Sequence, residues 1–430
     1  MSDRLGQAPW CGPPRQGWEV VALRRVATII NGGTPTADES YWGGSIPFVT
    51  PPDLNGLDGR PILKTSRSLT QSGASQSGIA PPGSVVVSTR APIGHIGRSA
   101  VRASFNQGCH ALVPGPRIAE RFLGYVLVAA RPEMVANGLG TTFVELSGSG
   151  LGTLRVPLPP VLEQRQIADF LDRETAEIDA FIADQDRLIK LLSERRSALA
   201  ASLFLPGDST ISGRLMRLLT DRPTYGVLVP EYVDADDGVS FVRVGDLDRL
   251  AENETLPKIS QGQSCEYSRT VLNGGEVLLG VVGKMGKSVV APKWLSGGNV
   301  ARAVAVFRCQ YPQDASVLNL WFSTSHFLSQ AESATSGDSV QPTLGMKEVA
   351  SFVVNWPADH GVSQTVIANC TQLEVTIAEA RRAIDLSRER RAALITAAVT
   401  GQLGVRAGRP KTVRGTCEAG LTTNQRGHHD

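Results

Sequence analysis

The segment ERRSALAASLF, opening at Glu194, returns as ERRAALITAAV, opening at Glu389, and each copy closes a long amphipathic stretch. A repeat at that separation in a chain of 430 residues restricts the fold to two like halves, each a globular region followed by a helix. Shorter matches keep the register. Ile46-Pro47-Phe48-Val49 with Asp53-Leu54 corresponds to Val239-Ser240-Phe241-Val242 with Asp246-Leu247, and Gly83-Ser84-Val85-Val86-Val87 to Gly275-Glu276-Val277-Leu278-Leu279.

From Trp18 to Pro160 the chain is rich in Gly, Pro, Ser and Thr, with short apolar runs such as Ser84 to Ser88 between turn residues. That texture predicts strands and turns, with one helix from Arg121 to Ala130. After Pro159-Pro160 the texture changes abruptly. From Gln164 to Phe204 Gly and Pro disappear, and Leu171, Ile178, Phe181, Leu188, Leu192 and Leu199 fall at steps of three, four or seven, the seam of a helix that packs on another helix. Forty such residues make a rod of about 60 Å, too long for one small domain to cover. Leu205-Pro206-Gly207 ends it. A second strand-rich region follows, and then a second rod from Val362 to Gln402, with Leu373, Ile377, Ile384 and Leu394 on its seam. The simplest partner for each rod is the other, lying antiparallel. The expected fold is therefore α+β: two mixed, strand-rich domains separated by two long antiparallel, coiled-coil-like helices, with an internal pseudo-twofold repeat. The boundaries expected are 1–16 and 404–430 for loose ends, 17–160 and 206–355 for the globular regions, and 161–205 and 356–403 for the helices.

Hydrophobic content of 41% and charged content of 20% suit globular domains with real cores. No apolar run reaches the length of a membrane span, and no signal peptide opens the chain, so a cytoplasmic location is the expectation. Six cysteines stand without any Cys-x-x-Cys pair, which argues against a zinc site or a disulfide framework.

Candidate catalytic motifs fail one after another. Gly283-Lys284-Met285-Gly286-Lys287-Ser288 resembles a phosphate-binding loop, but Val281 stands where the motif needs its first glycine, and a strand pattern follows where a helix should. No lysine has an acidic residue two places before it, as metal-dependent nucleases of the common type require. Thr50-Pro51-Pro52-Asp53 carries prolines without the flanking groups that amino-methyltransferases use on a flipped base. Cys109-His110 is read as one core and one surface residue, because neighbours in a strand face opposite ways. The reading is a non-catalytic chain.

What remains is recognition. Thr89, Arg90, His95, Arg98 and Arg102 lie in and after the Gly turn of the first region, and Lys284, Lys287, Lys293 and Arg302 in the matching stretch of the second. A strand-turn-strand projection can enter a major groove while flanking cations meet phosphates. Cations in the same place twice favour this reading over that of a solvated loop.

These segments resemble the specificity subunits of type I restriction-modification systems. The likeness rests on Gly83 to Gly94 (GSVVVSTRAPIG) with Asn106-Gln107-Gly108, on Pro157-Leu158-Pro159-Pro160 with Glu163-Gln164-Arg165-Gln166-Ile167-Ala168 and Phe170-Leu171-Asp172-Arg173-Glu174-Thr175, and on Glu389 to Leu403. The resemblance implies two target-recognition domains, each reading half of a bipartite double-stranded DNA sequence, with helices whose length sets the gap. It also implies modification subunits, docked on those helices, that use S-adenosylmethionine to methylate adenines, and a restriction subunit that uses ATP and Mg. The second half departs from the pattern: Gly361-Val362-Ser363-Gln364 replaces the Glu-Gln-Arg helix opening. Two alternatives stand beside this reading. One is the specificity subunit of a related type IIB-like system that cuts on both sides of its site; the other is a helical scaffold that binds proteins and never touches DNA.

Overall fold

The computed structural model describes residues 10–13, 15–138, 145–234, 237–250, 255–283, 285–335 and 343–405. The chain divides into two compact units, Met1–Ile182 with Ile384–Asp430, and Ala183–Ala383. Most of the two expected loose ends, together with Lys284 and Cys417, lies outside the described residues.

The first unit contains β1 (Glu19–Ala22), β2 (Ala27–Asn31), β3 (Trp42–Val49), β4 (Arg67–Leu69), α1 (Gln71–Ser75), β5 (Gly78–Ala80), β6 (Ser84–Ser88), β7 (Ile96–Ser99), β8 (Ala103–Phe105) and β9 (Cys109–Pro114). Then come α2 (Glu120–Ala129), α3 (Arg131–Ala136), α4 (Gly148–Thr153), β10 (Arg155–Leu158) and the first part of the long α5 (Val161–Ser202), which from Ala183 belongs to the second unit. The second unit contains β11 (Thr210–Arg214), β12 (Thr224–Tyr225), β13 (Val239–Val242), β14 (Lys258–Ile259), α6 (Gln261–Glu266), β15 (Val277–Gly280), β16 (Ser288–Val290), β17 (Asn299–Val300) and β18 (Val304–Phe307). It closes with α7 (Asp314–Phe322), α8 (Ser325–Thr335), α9 (Met346–Ser351), β19 (Val353–Pro357) and the first part of the second long helix, α10 (His360–Val399), which from Ile384 belongs to the first unit. The texture of the sequence thus becomes mixed sheets and two long helices, as expected.

Sheet order shows the duplication more clearly than residue identity does. The first unit has sheets β2-β9-β6-β7 and β4-β3-β8-β5, plus the pair β1-β10; the second has β12-β18-β15-β16 and β14-β13-β17, plus β11-β19. Within these sheets all neighbours are antiparallel except β3 with β8 and β13 with β17, the same place in both. Each unit also builds the same short turn after the shared Phe-Val strand end. Asp53 accepts a hydrogen bond from the Thr50 amide at 2.8 Å, and Asp246 accepts one from the Arg243 amide at 2.9 Å. The paired Asp-Leu motifs are therefore caps that satisfy orphan amides. Between β15 and β16 the chain makes an antiparallel hairpin with Leu279 opposite Ser288, so no helix stands behind the Gly-Lys turn to receive a phosphate.

The first core gathers Leu23, Val85, Leu112, Phe122 and Val126 with Leu171 of α5 and Ile395 and Val399 of α10, all buried. A side chain the size of Phe122 contributes about 2–3 kcal/mol by leaving water. The second core is built the same way, from Val277, Phe307, Trp321, Phe322 and Phe327 with Ala200 of α5 and Cys370 of α10. Each unit is thus closed by a segment of both long helices.

Those helices run antiparallel. Asp179 meets Arg391 in the first unit and Arg196 meets Glu374 in the second, so advancing along α5 retreats by an equal step along α10. The shielded positions on α5 are Leu171, Thr175, Ile178, Ile182, Gln185, Ile189, Leu192, Arg196 and Leu199, alternating steps of four and three. On α10 they are Cys370, Leu373, Ile377, Ala380, Ile384, Ser387, Arg391, Leu394 and Ala398, again at three and four. Both are heptad seams. Two expected pairing residues fall off them: Phe181 and Leu188 stand one place before Ile182 and Ile189 and remain 43% and 38% exposed. A helix turns about 100° per residue, so the one-place shift carries them out of the seam.

The α10 opening, which lacks the expected Glu-Gln-Arg, is capped by Asp359, whose carboxylate accepts from the Gly361 and Val362 amides at 2.7 and 3.2 Å. At its far end Gly401 takes φ +77°, and the Leu403 amide returns to the Ala397 carbonyl at 2.9 Å. A side chain at Gly401 would be strained in that left-handed turn.

Candidate nucleic-acid interface

The first stretch of cations is presented by the hairpin of β6 and β7, in which Val87 faces Ile96. At its tip Arg90 is exposed and ion-paired to Glu145 at 3.2 Å. Arg102 is also exposed, with a hydrogen bond to Gln71 at 3.2 Å. These two are placed where a groove or a phosphate could reach them.

Arg98 is different. Its side chain turns inward, donating to the Gly59 carbonyl at 2.6 Å and pairing with Glu120 at 3.3 Å. His95 is half-buried; burial first, and then the neighbouring Arg131, push its pKa down, with Asp58 opposing. Thr89 corrects the expectation outright. It is fully buried, and its hydroxyl shares a 2.8 Å hydrogen bond with His110 Nδ1, so its side chain cannot face a groove. His110 is itself only 6% exposed, which overturns its reading as a surface residue, although Cys109 does turn to a separate apolar cluster as strand alternation requires. Burial, with Asp53 adding, pushes the Cys109 thiol up to about 12, far from a nucleophile's range.

In the second unit Lys287 is tied to Asp248 at 2.8 Å, whereas Lys293 and Arg302 are exposed and have no ion pair among the described residues. Lys284 lies outside the described residues. The hairpin is thus repeated, but only part of each cation set is exposed.

The residues behind the family resemblance have a mechanical role. Gln164 is fully buried: its carbonyl accepts from the Ala119 amide at 2.8 Å, and its amide donates to the Pro159 and Arg117 carbonyls at 2.7 and 2.9 Å. Glu163 accepts from the Trp18 indole at 3.1 Å. Asp172 takes one hydrogen bond from Arg121 and another from Tyr125, both at 2.6 Å. Burial first, and then that carboxylate, push the Tyr125 hydroxyl up. These groups bolt α2 and the first strand to α5.

A second bolt joins α10. Asp58, whose φ is +45°, accepts from Arg131 and from Arg391, and Arg391 also meets Asp179 at 3.0 Å. Burial would raise the Asp58 carboxyl, but Arg131, Arg391 and Arg60 together hold it below the usual carboxylate range. The network borders a cleft of about 610 Å³ that Arg60 and Arg388 also line.

A depressed native pKa means that this stabilisation is fully present above the unfolded carboxylate value near 3.9, and is lost as pH falls through the folded one. The expected result is a first unit whose melting temperature drops below about pH 4 and drops less steeply in Asp58→Asn. Thermal melts of both proteins between pH 2 and 7 check it; parallel curves would contradict the assignment.

Among the described residues no group of three or more His, Cys, Asp or Glu is placed to hold a metal. None of the described helices is long and apolar enough to cross a membrane. Duplicated strand-rich units, each with the same sheet order and each closed by two antiparallel helices, define a class of doubled α+β folds. Comparison with known families gives a particular likeness: residues 15–186 match the type I restriction modification DNA specificity domain. The likeness to type I restriction enzyme specificity subunits, drawn first from sequence motifs, holds.

Two relatives illustrate it. The chain is 30% identical over 159 residues to the type I restriction enzyme MjaIX specificity subunit of Methanocaldococcus jannaschii, covering 36% of this chain and 37% of the relative. It is 26% identical over 279 residues to the EcoBI specificity subunit of Escherichia coli, covering 58% of each. The matches thus span between about a third and three-fifths of these relatives' length. The fold matches a chain from a solved structure described as the structural basis underlying complex assembly and conformational transition of the type I R-M system. That match has a TM-score of 0.67 and 16% identity, over 91% of this chain and 100% of that one.

Proposed function

We propose that this chain is the DNA specificity component of a type I restriction-modification assembly. Each unit reads one half of a bipartite target on double-stranded DNA, and the chain contributes no catalytic group of its own. The observation that carries the reading is the duplicated sheet order, with the same antiparallel hairpin and exposed cations at or after it in both copies, in a chain whose residues 15–186 match the DNA specificity domain. Modification subunits dock on apolar side chains that the long helices leave exposed, such as Phe181, Leu188, Leu191 and Leu386. S-adenosylmethionine belongs to those modification subunits, and ATP with Mg to a restriction subunit joining the same assembly. The paired helices set the gap between the two half-sites, as a stiff spacer between two readers does.

The test is DNA binding by the chain assembled with its modification partner, across a salt series. Alanine at Arg90, Arg102, Lys293 and Arg302 is expected to weaken binding to all sequences and to flatten the slope of log affinity against log salt by up to about 0.9 for each phosphate no longer neutralised. An unchanged affinity and slope would favour a scaffold that binds only proteins.

A further inference from the structure

We propose that Arg67, laid flat on the Trp42 indole, is a specificity-determining residue of the first unit and reads a guanine in its half-site. This rests on the DNA-reading function above and goes beyond it, because the hairpin cations do not include this residue.

The geometry begins with β3 and β4, where Arg67 lies opposite Phe48. Side chains opposite one another on antiparallel strands share a face. On that face Trp42 stands edge-on to Phe48, with ring centroids 5.2 Å apart, and the Arg67 guanidinium carbon sits 3.3 Å above the Trp42 ring. The indole is fixed in turn by its N–H, which donates to the Thr36 carbonyl at 3.0 Å. A guanidinium stacked in this way keeps its planar donor edge pointing outward at a low entropic cost.

Arg67 is exposed, and among the described residues no carboxylate pairs with it. Arg90 and Arg98, by contrast, are tied to Glu145 and Glu120. The loop that holds Trp42 continues to Thr34, which is hydrogen-bonded to the exposed Gln107 just after β8. The first unit thus exposes a guanidinium fork at Arg67 and a carboxamide at Gln107, the two side-chain types that pair bidentately with guanine and adenine edges in the major groove.

The second unit supplies an independent comparison. Tyr232, 55% exposed, stands edge-on to Phe241 with centroids 6.1 Å apart, the counterpart of Trp42 on Phe48. The Phe241 amide bonds the Pro257 carbonyl, so Pro257 occupies the place that Arg67 holds in the first unit. The aromatic platform is kept while the residue that would touch a base changes, as expected if this position sets the sequence that is read.

The experiment compares wild type, Arg67→Ala and Arg67→Lys, each assembled with modification subunits, on DNA with randomised half-sites, reading adenine methylation by sequence. Wild type is expected to require a guanine in one half-site, and Arg67→Ala to relax that position by roughly 10- to 100-fold while the other half-site is read unchanged. Arg67→Lys keeps the charge but loses the fork, so it is expected to relax the same position with an unaltered salt slope. Equal weakening on all sequences, unchanged discrimination in either variant, or a wild-type motif without that guanine would each overturn the proposal. A wild-type complex with no sequence preference at all would overturn the DNA-reading function with it.

Discussion

Replacing Arg391 with alanine is expected to lower the stability of the first unit by about 2–4 kcal/mol and its melting temperature by roughly 5–10 °C. The side chain is only 10% exposed and bridges Asp58 and Asp179, each about a quarter exposed. Truncation leaves two carboxylates beside an apolar core that includes Ile395, and it also removes the packing of the arginine stem. A fully dry pair would cost more; partial hydration of both aspartates and the nearby Arg60 and Arg131 reduce the effect. Arg391→Lys should recover less than half of it, because one ammonium cannot serve two carboxylates at the angles a guanidinium fork allows. Adding Asp179→Ala to Arg391→Ala should then cost less than the two changes made separately. A melting temperature for Arg391→Ala within about 1 °C of wild type would show that the network contributes nothing.

Arg391 also shows how far the sequence can be read. Its segment announces the duplication, because Glu389-Arg390-Arg391 matches Glu194-Arg195-Arg196, yet the two arginines serve different neighbours: Arg196 pairs with Glu374 on α10, whereas Arg391 reaches Asp58 in a loop far away in the chain. Periodicity reports which strip of a helix is shielded, so both long helices are legible to within a few residues. It cannot by itself separate adjacent strips when both are apolar, and for that reason Phe181 and Leu188 read as seam residues from spacing alone. The strand runs are legible on similar grounds, Ser84 to Ser88 being bounded by turns on both sides.

The recognition surface is harder to read. Charge and position in a turn select Arg90 and Arg102, which are exposed, but select Thr89 equally, and its burial is decided by His110 twenty-one residues away. Arg67 carries no local signal, because its partner Trp42 is brought to it by strand pairing rather than by spacing. The available hint is the aromatic residue shortly before each Phe-Val strand end, Trp42 in one half and Tyr232 in the other.

Exchanging residues 18–160 for the corresponding region of a relative with a different target is expected to change one half of the methylated sequence and leave the other half as it was. The exchange has to respect the bolts. Arg121 and Tyr125 hold Asp172, Trp18 holds Glu163, and Asp58 with Arg131 holds Arg391, so an incoming region lacking these groups would unseat α5 and α10 and lose assembly before specificity could be read. With them retained, three altered base pairs at about 1–3 kcal/mol each move preference by at least two orders of magnitude toward the donor's half-site. Sequencing of methylated adenines in DNA exposed to the hybrid complex reads the outcome directly. If both halves of the target changed together, one unit would not be reading one half-site, because the second unit's hairpin, its Tyr232 platform and its Lys293 and Arg302 are untouched by the exchange.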